Sequence, residues 1–358
     1  MSTDTLARTF QIAALPGDGI GGDVMAEGLR VLGAVAGSLD DVEFRVEQHP
    51  AGAAEFLRGG EALPESTFGA CRSADAILLG AMGLPEVRYP DGKELTPQID
   101  LRERLQLYAG LRPTYLHHGD DCPLKGHAGG DIDLVLVRES TEGLFSARLS
   151  EGGVDGDEVR DVMRITRQGS ERVCRAAFEL AMRRRKKVTL VDKANVLPSM
   201  VFLRKVFDEV AADFPDVETE RIYVDAAALF LVRRPGDFDV LVTENMFGDI
   251  LSDLASGLIG GMGMAPSADI GDDTAVFQPA HGTAPDIAGQ GIANPVGMIL
   301  SVAMMLDWLP GEQVKDAGRR IRKAVAAALE DPQKRTPDMG GKLRTSEMTD
   351  AVLDQLDR

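Results

Sequence analysis

DVLVTENMFGDILSDLASGLIGGMG, residues Asp239 to Gly263, runs from an apolar strand-like segment through Thr243-Glu244-Asn245 into a largely apolar helix. An apolar strand feeding a helix is the unit from which parallel α/β sheets are built. The helix carries Asp249 and Asp253, and residues four apart share one helical face, so two carboxylates are expected side by side. Like charges that close repel, and partly apolar surroundings remove hydration from each. Two solvated acids on an amphipathic helix are one reading. The other is a divalent cation, and all-oxygen ligation suits Mg²⁺ or Mn²⁺. Ile250, Leu251, Leu254, Leu258 and Ile259 wrap much of the helix. They leave little room for a purely solvent face, so the cation is favoured.

The same alternation extends along the chain. Strands are expected at Phe10 to Leu15, Val42 to Gln48, Ala76 to Leu79, Leu134 to Val137, Val188 to Val191, Ile222 to Val224 and Val240 to Val242, with helical patterns between them. The fold class is therefore α/β with a substantially parallel sheet. Leu149 to Arg164, rich in Gly, Asp and Glu, reads as an exposed excursion. The 358 residues suffice for two cores. A formal charge of -18 argues against a nucleic-acid partner, since binding that polyanion needs clustered Lys and Arg. The basic run Arg183 to Lys187 closes a helix C-terminus and reads as a dipole match. Cys71, Cys122 and Cys174 are too scattered for a disulfide framework or a zinc site. No apolar run approaches a membrane span. The opening MSTDTLARTF lacks the apolar core of a signal peptide, so a cytoplasmic location is expected.

Two glycine-rich stretches compete as nucleotide sites. Gly17, Gly19 and Gly22 form a literal G-x-G-x-x-G between strand and helix, with Asp41 and Glu43 about 20 residues on. Asp18, however, would place a negative charge where a pyrophosphate should meet the helix N-terminus, so Pro16-Gly-Asp-Gly19 reads as a structural turn. The second stretch is His281-Gly282-Thr283-Ala284-Pro285-Asp286-Ile287, continuing to Asn294-Pro295. Its small residues let a ligand approach the backbone, its His offers a ring for an adenine, and Asp286 could accept from a ribose hydroxyl. A loop whose His caps a neighbouring helix fits the same residues equally well.

Ordered blocks over nearly the whole length resemble the β-decarboxylating dehydrogenases, the family of isopropylmalate, isocitrate, homoisocitrate and tartrate/D-malate dehydrogenases. They are Leu15 to Gly21, Asp100-Leu-Arg102, Leu111-Arg-Pro113, Val137-Arg-Glu139, Asp192-Lys-Ala-Asn195, Tyr223-Val-Asp225, Asn245 to Asp253, His281 to Asp286 and Asn294-Pro295. The resemblance implies a two-domain fold with a non-Rossmann cofactor site. Residues 1–107 and 260–358 would form the cofactor-binding domain. Residues 108–259 would hold the metal ligands, the dimer interface and an arm at about 149–164. By the same resemblance, Arg102, Arg112 and Arg138 clamp the substrate's carboxylates, as guanidinium forks suit. Asp225, Asp249 and Asp253 ligate Mg²⁺ or Mn²⁺. Lys193 helps deprotonate the C2 hydroxyl. Lys193 and Asp225 reach into the neighbouring subunit's site, which implies a homodimer. NAD is bound by His281, Gly282, Thr283, Ala284, Pro285, Asp286, Ile287 and Asn294, with Asp286 repelling the extra phosphate of NADP.

The sequence departs from that pattern at Phe145, seven residues after Arg138, where the family has the Tyr that protonates C3 after CO₂ leaves. A weakly active or non-catalytic regulatory paralogue is therefore a rival to an active enzyme. In relatives the segment before Arg102 contacts the C3 substituent. Here Leu95 and Ile99 suit an alkyl group, Thr96 and Gln98 a polar one, and Val196 adds an apolar wall. The dicarboxylate expected is 3-isopropylmalate, oxidised and decarboxylated to 2-oxoisocaproate, with tartrate/D-malate or an isocitrate-like acid as alternatives.

Overall fold

A computed structural model describes residues 8–149 and 157–356, and among these residues ten strands and eleven α-helices order the chain. The strands are β1 (Arg8–Gly17), β2 (Val42–Gln48), β3 (Ala76–Ala81), β4 (Ala109–Tyr115), β5 (Asp133–Glu139), β6 (Lys187–Asp192), β7 (Glu218–Tyr223), β8 (Val240–Thr243), β9 (Pro266–Ile270) and β10 (Ala275–Pro279). The chain divides into two compact units. One comprises Met1–Leu105, Gly260–Ala268 and Asp272–Arg358, the other Gln106–Ile259 and Asp269–Gly271.

In the first unit the strands run in the order β2-β1-β3-β10-β9, with β1 parallel to β2 and β3, and β3 parallel to β10. All six residues of β3 are buried, the continuous apolar pattern of a central parallel strand. Helix Val296–Trp308 packs against β10 and β3 and against helices Gly21–Ala36 and Glu312–Leu329. Almost every side chain on it is buried, so its apolar residues show no single stripe.

In the second unit the order is β4-β5-β8-β6-β7. Strands β5, β8, β6 and β7 run parallel to one another, while β4 runs antiparallel to β5. On one face Val135, Val137, Val188, Leu190, Val240 and Val242 pack against helices Arg167–Met182 and Pro198–Ala211 through Phe178, Leu203, Val206 and Phe207. On this sheet also lie helices Val224–Arg233 and Asn245–Ser256, the first against β6 and the second against β5. Three large apolar side chains on these two helices stay exposed: Leu229, Val232 and Ile250.

The expected strand at Ile222 to Val224 is corrected by the structure. The strand is Glu218–Tyr223, and a helix starts at Val224, which places Asp225 in its first turn. Of the excursion from Leu149 to Arg164, Ser150 to Gly156 lie outside the described residues. Asp157 to Met163 have no regular structure, and Val159 and Val162 are exposed.

Candidate active site

In the second unit, Glu244 caps helix Asn245–Ser256. Its carboxylate accepts from the amides of Phe247 at 2.6 Å and Met246 at 3.1 Å, a negative charge at the helix's positive end. Glu244 is buried, and burial raises its pKa against the pull of those amides. With this end fixed, Leu251, Ser252 and Ala255 turn inward, while Asp249 and Asp253 stand on the other flank. The Asp253 pKa is raised, first by partial desolvation and then by the charge of Asp249, with Arg112 and Arg138 opposing.

Arg138, at the end of β5, lies along this helix and is 3% exposed. Its Nε and Nη2 both donate to Asn245 Oδ1, at 2.9 and 2.6 Å, and its Nη1 donates to Asp249. Gly248 makes the approach possible: a Cβ there would stand 2.7 Å from Arg138 Cγ. The guanidinium also faces the Phe145 ring, 5.0 Å from its centroid. Arg112 is likewise buried and donates from Nη2 to Asp269 Oδ1 at 3.2 Å. The glycine at 110 clears this neighbourhood, since a Cβ would meet Ser140 Oγ at 2.6 Å and Asp269 Oδ1 at 3.0 Å.

Lys193 Nζ donates to Asp225 Oδ1, and that hydrogen bond holds the Asp225 carboxyl below its usual range. Among the described residues no group of three or more His, Cys, Asp or Glu converges on one point. The described residues present an Asp249/Asp253 pair and a Lys193/Asp225 pair. The first pair suits a divalent cation. It is all oxygen, like-charged and partly desolvated, so added positive charge relieves the penalty that raises the Asp253 pKa.

In the first unit, the Pro16 to Gly19 turn is structural. Asp18 is buried, and its carboxylate accepts from Ala53 N at 2.7 Å, Ala54 N at 2.9 Å and Gly83 N at 2.8 Å. It caps helix Ala53–Gly59 rather than the helix that follows it in sequence. A carboxylate with three amides on it is engaged by the protein. The turn packs on the second glycine-rich stretch: Ile20 N donates to Thr283 O at 2.8 Å, and a Cβ on Gly19 would fall 2.0 Å from that oxygen.

In that stretch His281 Nδ1 is 2.9 Å from Gly282 O, while its buried Nε2 has no hydrogen-bond partner. Burial lowers the His281 pKa, with the carbonyl of Gly282 opposing. Gly282, Pro285 and Asp286 are exposed, Ala284 and Ile287 half-buried and Thr283 buried. Asn294 is buried too, donating to Asp338 Oδ2 at 3.1 Å and accepting from Val296 N at 3.0 Å. An orphaned ring nitrogen beside exposed small residues and a carboxylate suits a nucleotide.

Helix Pro97–Arg104 carries Gln98, Ile99 and Arg102, all half-buried, and Gln98 Oε1 is a buried acceptor with no donor. Leu95 is 1% exposed and packs in a cluster with Ala53, Ala62 and Val87. Val196 is 64% exposed in the single chain.

The profile described as isocitrate/isopropylmalate dehydrogenase matches residues 11–352. The chain belongs to the isocitrate/isopropylmalate dehydrogenase family. It is 44% identical to a 3-isopropylmalate dehydrogenase of Moorella thermoacetica, over 92% of this chain and 93% of that one. It is 43% identical to another of Archaeoglobus fulgidus, over 97% and 99%. Among solved structures, the isocitrate dehydrogenase of Methylococcus capsulatus superposes with a TM-score of 0.87 at 38% identity, covering 98% and 100%. An apo β-decarboxylating dehydrogenase of Thermococcus kodakarensis does so with a TM-score of 0.81 at 39%, covering 97% and 96%. The α/β fold and the enzyme class follow: this is a β-decarboxylating dehydrogenase acting on a CH–OH group. NAD and Mg²⁺ or Mn²⁺ are the cofactors that go with that membership. Its substrate is a small dicarboxylate.

Sequence reasoning passed over Asn245 and Asp269 as partners of the arginines. Asp269 had a signal: a lone acid in the short apolar strand Pro266–Ile270, where a charge is retained only if paired.

Proposed function

We propose that this dehydrogenase oxidatively decarboxylates a 3-substituted (2R)-malate, 3-isopropylmalate before others, to 2-oxoisocaproate with NAD⁺, as a cytoplasmic homodimer. The observation that carries the reading is Arg138, buried and held by Asn245 beside the Asp249/Asp253 pair. A guanidinium fixed next to a cation site is a receptor for a carboxylate that also binds the cation. Both curated relatives described above bear the name 3-isopropylmalate dehydrogenase.

The chain's own residues divide the work. Arg102, Arg112 and Arg138 bind and orient the two malate carboxylates. Lys193 takes the proton from the C2 hydroxyl. Asp249 and Asp253, with Asp225 of a second copy, hold the cation. The exposed Leu229, Val232 and Ile250 support that division, since they offer an apolar face to another copy. When bound, Mg²⁺ or Mn²⁺ supplies Lewis-acid stabilisation at C2 and NAD⁺ supplies the hydride acceptor. The first unit binds the dinucleotide through the His281 to Ile287 loop and Asn294, and the segment at about 149–164 serves as a dimer arm. Among the described residues no helix is long and apolar enough to cross a membrane.

Two observations favour second readings. The undonated Gln98 Oε1 suits a polar C3 substituent, as in tartrate or an isocitrate-like acid. Phe145 has no proton to deliver, which suits a slow or regulatory paralogue. Steady-state kinetics with NAD⁺ and Mn²⁺ on 3-isopropylmalate, D-malate, tartrate and isocitrate separates them. The highest kcat/KM is expected for 3-isopropylmalate. A preference for a polar malate would overturn the substrate assignment, and no turnover with any would favour the paralogue.

A further inference from the structure

Asp192, the last residue of β6, is 0% exposed, and its carboxylate is committed to the turn that follows it. Arg204, on helix Pro198–Ala211, donates from Nε to Asp192 Oδ2 and from Nη2 to Oδ1, both at 2.8 Å. This is the two-pronged geometry that a guanidinium provides and an ammonium does not. Oδ1 also accepts from the amide of Ala194 at 2.9 Å. Lys193 sits between these two anchors. Its carbonyl accepts from the amides of Val196 at 3.1 Å and Leu197 at 3.0 Å. The backbone of Lys193 is therefore fixed on both sides, and only its side-chain torsions remain.

Those torsions meet a second constraint. The Tyr223 ring, at the end of β7, lies 5.7 Å from Lys193 Nζ and 5.6 Å from Arg204 Cζ. Both cations thus lie within cation–π range of one ring. Lys193 continues past the ring to Asp225 in the first turn of helix Val224–Arg233.

We propose that Arg204 is a positioning residue for the dehydrogenase reaction, acting through the Asp192 carboxylate and the Tyr223 ring to hold the side-chain nitrogen of Lys193 in register with Asp225. The proposal rests on the reading of Lys193 as the group that deprotonates the C2 hydroxyl. A fork that merely tied β6 to its neighbouring helix would need no shared ring and no bond to the amide after Lys193. A lysine has a long flexible stem. Releasing the turn that aims it misplaces its nitrogen by a distance on the order of 1 Å, enough to cost up to about 100-fold in rate.

Arg204→Lys keeps the charge on Asp192 but loses the fork. The pair Asp192→Asn/Arg204→Met removes both charges together and guards against a folding failure. Each is compared with wild type, with Lys193→Met and with Lys193→Met/Arg204→Lys, using initial rates, thermal midpoints and the primary isotope effect with C2-deuterated substrate. Arg204→Lys should slow the oxidation step, read as first-turnover formation of NADH, by about 10–100-fold while KM for the malate moves by less than about threefold. The isotope effect on kcat should rise, because the oxidation step becomes limiting. An inactive fraction of misfolded enzyme would leave it unchanged. The double-charge variant should lose turnover in the same way. In the Lys193→Met background, Arg204→Lys should change the residual rate by less than about twofold, since the group it acts through is gone. An equal loss with and without Lys193, or a loss that follows the thermal midpoint at constant isotope effect, overturns the proposal and leaves the role of Lys193 standing. Wild-type turnover in Lys193→Met overturns the base assignment, and the positioning role falls with it.

Discussion

Replacing Asp18 decides whether the first glycine-rich turn serves a nucleotide or the fold. Its Oδ2 accepts from both Ala53 N and Gly83 N, and its Oδ1 from Ala54 N. In Asp18→Asn one oxygen remains, so at best two amides keep a weaker, uncharged acceptor and the third faces an NH₂ group. A hydrogen bond to a charged group contributes about 1.5–3 kcal/mol, and a buried donor left unsatisfied costs about 1–3 kcal/mol. One bond lost and two weakened give a loss of roughly 2–4 kcal/mol. For a unit of this size each kcal/mol moves the midpoint by about 2–4 °C, so the first thermal transition should fall by roughly 5–15 °C. Asp18→Ala should fall further, leaving all three amides without an acceptor. Gly52→Ala should also destabilise, because at φ 108° its Cβ would stand 2.3 Å from Asp18 Oδ2. Calorimetry and KM for NAD⁺ are measured on the same preparations, at a temperature where each variant is folded. A midpoint within about 2 °C of wild type, together with a raised KM for NAD⁺, would show the carboxylate facing the cofactor and refute the capping account.

Phe145→Tyr restores a donor beside Arg138. General acid catalysis contributes about 10²–10⁴-fold, so the wild-type enzyme should show a pre-steady-state burst of NADH, and in the variant the burst should disappear and steady-state turnover rise. A wild type without a burst and a Tyr variant no faster would refute the missing-acid account. Asp286 should favour NAD⁺ over NADP⁺ by about 2–3 kcal/mol, tens to hundreds of fold in kcat/KM, and Asp286→Lys should narrow the ratio; equal efficiency of the wild type with both cofactors would contradict it. Burial raises the pKa of Glu139 against hydrogen bonds from Thr141 and Glu142. A carboxyl with a raised folded pKa binds its proton more tightly folded than unfolded. Its stability contribution is therefore full below the unfolded pKa of about 4.3 and declines as pH rises toward the folded value. Wild type should lose stability relative to Glu139→Gln over that rise in urea unfolding, and a pH-independent difference would count against it.

Much of the fold was legible because buried parallel strands read as continuous apolar runs, as at Ala76–Ala81 and Val240–Thr243. Strand β4 was not. Its residues AGLRPTY carry a proline and a buried arginine, and only pairing with β5 and the Asp269 partner make them a strand. The start of the helix at Val224 was hidden for a related reason, since Val224 suits a strand as well as a helix. The side-by-side placement of Asp249 and Asp253 followed from local periodicity. The partners of the arginines did not, because Asp269 lies 157 residues from Arg112 and Asn245 lies 107 from Arg138. Leu95 shows the opposite limit. Its place beside the specificity segment was readable, but which way its side chain turned depended on Ala53, Ala62 and Val87.

The most direct test of the central claim is the initial rate of NADH formation from NAD⁺ and 3-isopropylmalate, with CO₂ measured alongside, before and after chelation by EDTA. The same rate is measured for Asp249→Asn, which keeps the shape of the side chain and removes its charge. The account predicts NADH and CO₂ in equal amounts, a rate abolished by EDTA and restored by Mn²⁺, and a strong loss in the variant with a raised Mn²⁺ requirement. Turnover that persists undiminished in EDTA, or that is unchanged in Asp249→Asn, would contradict it.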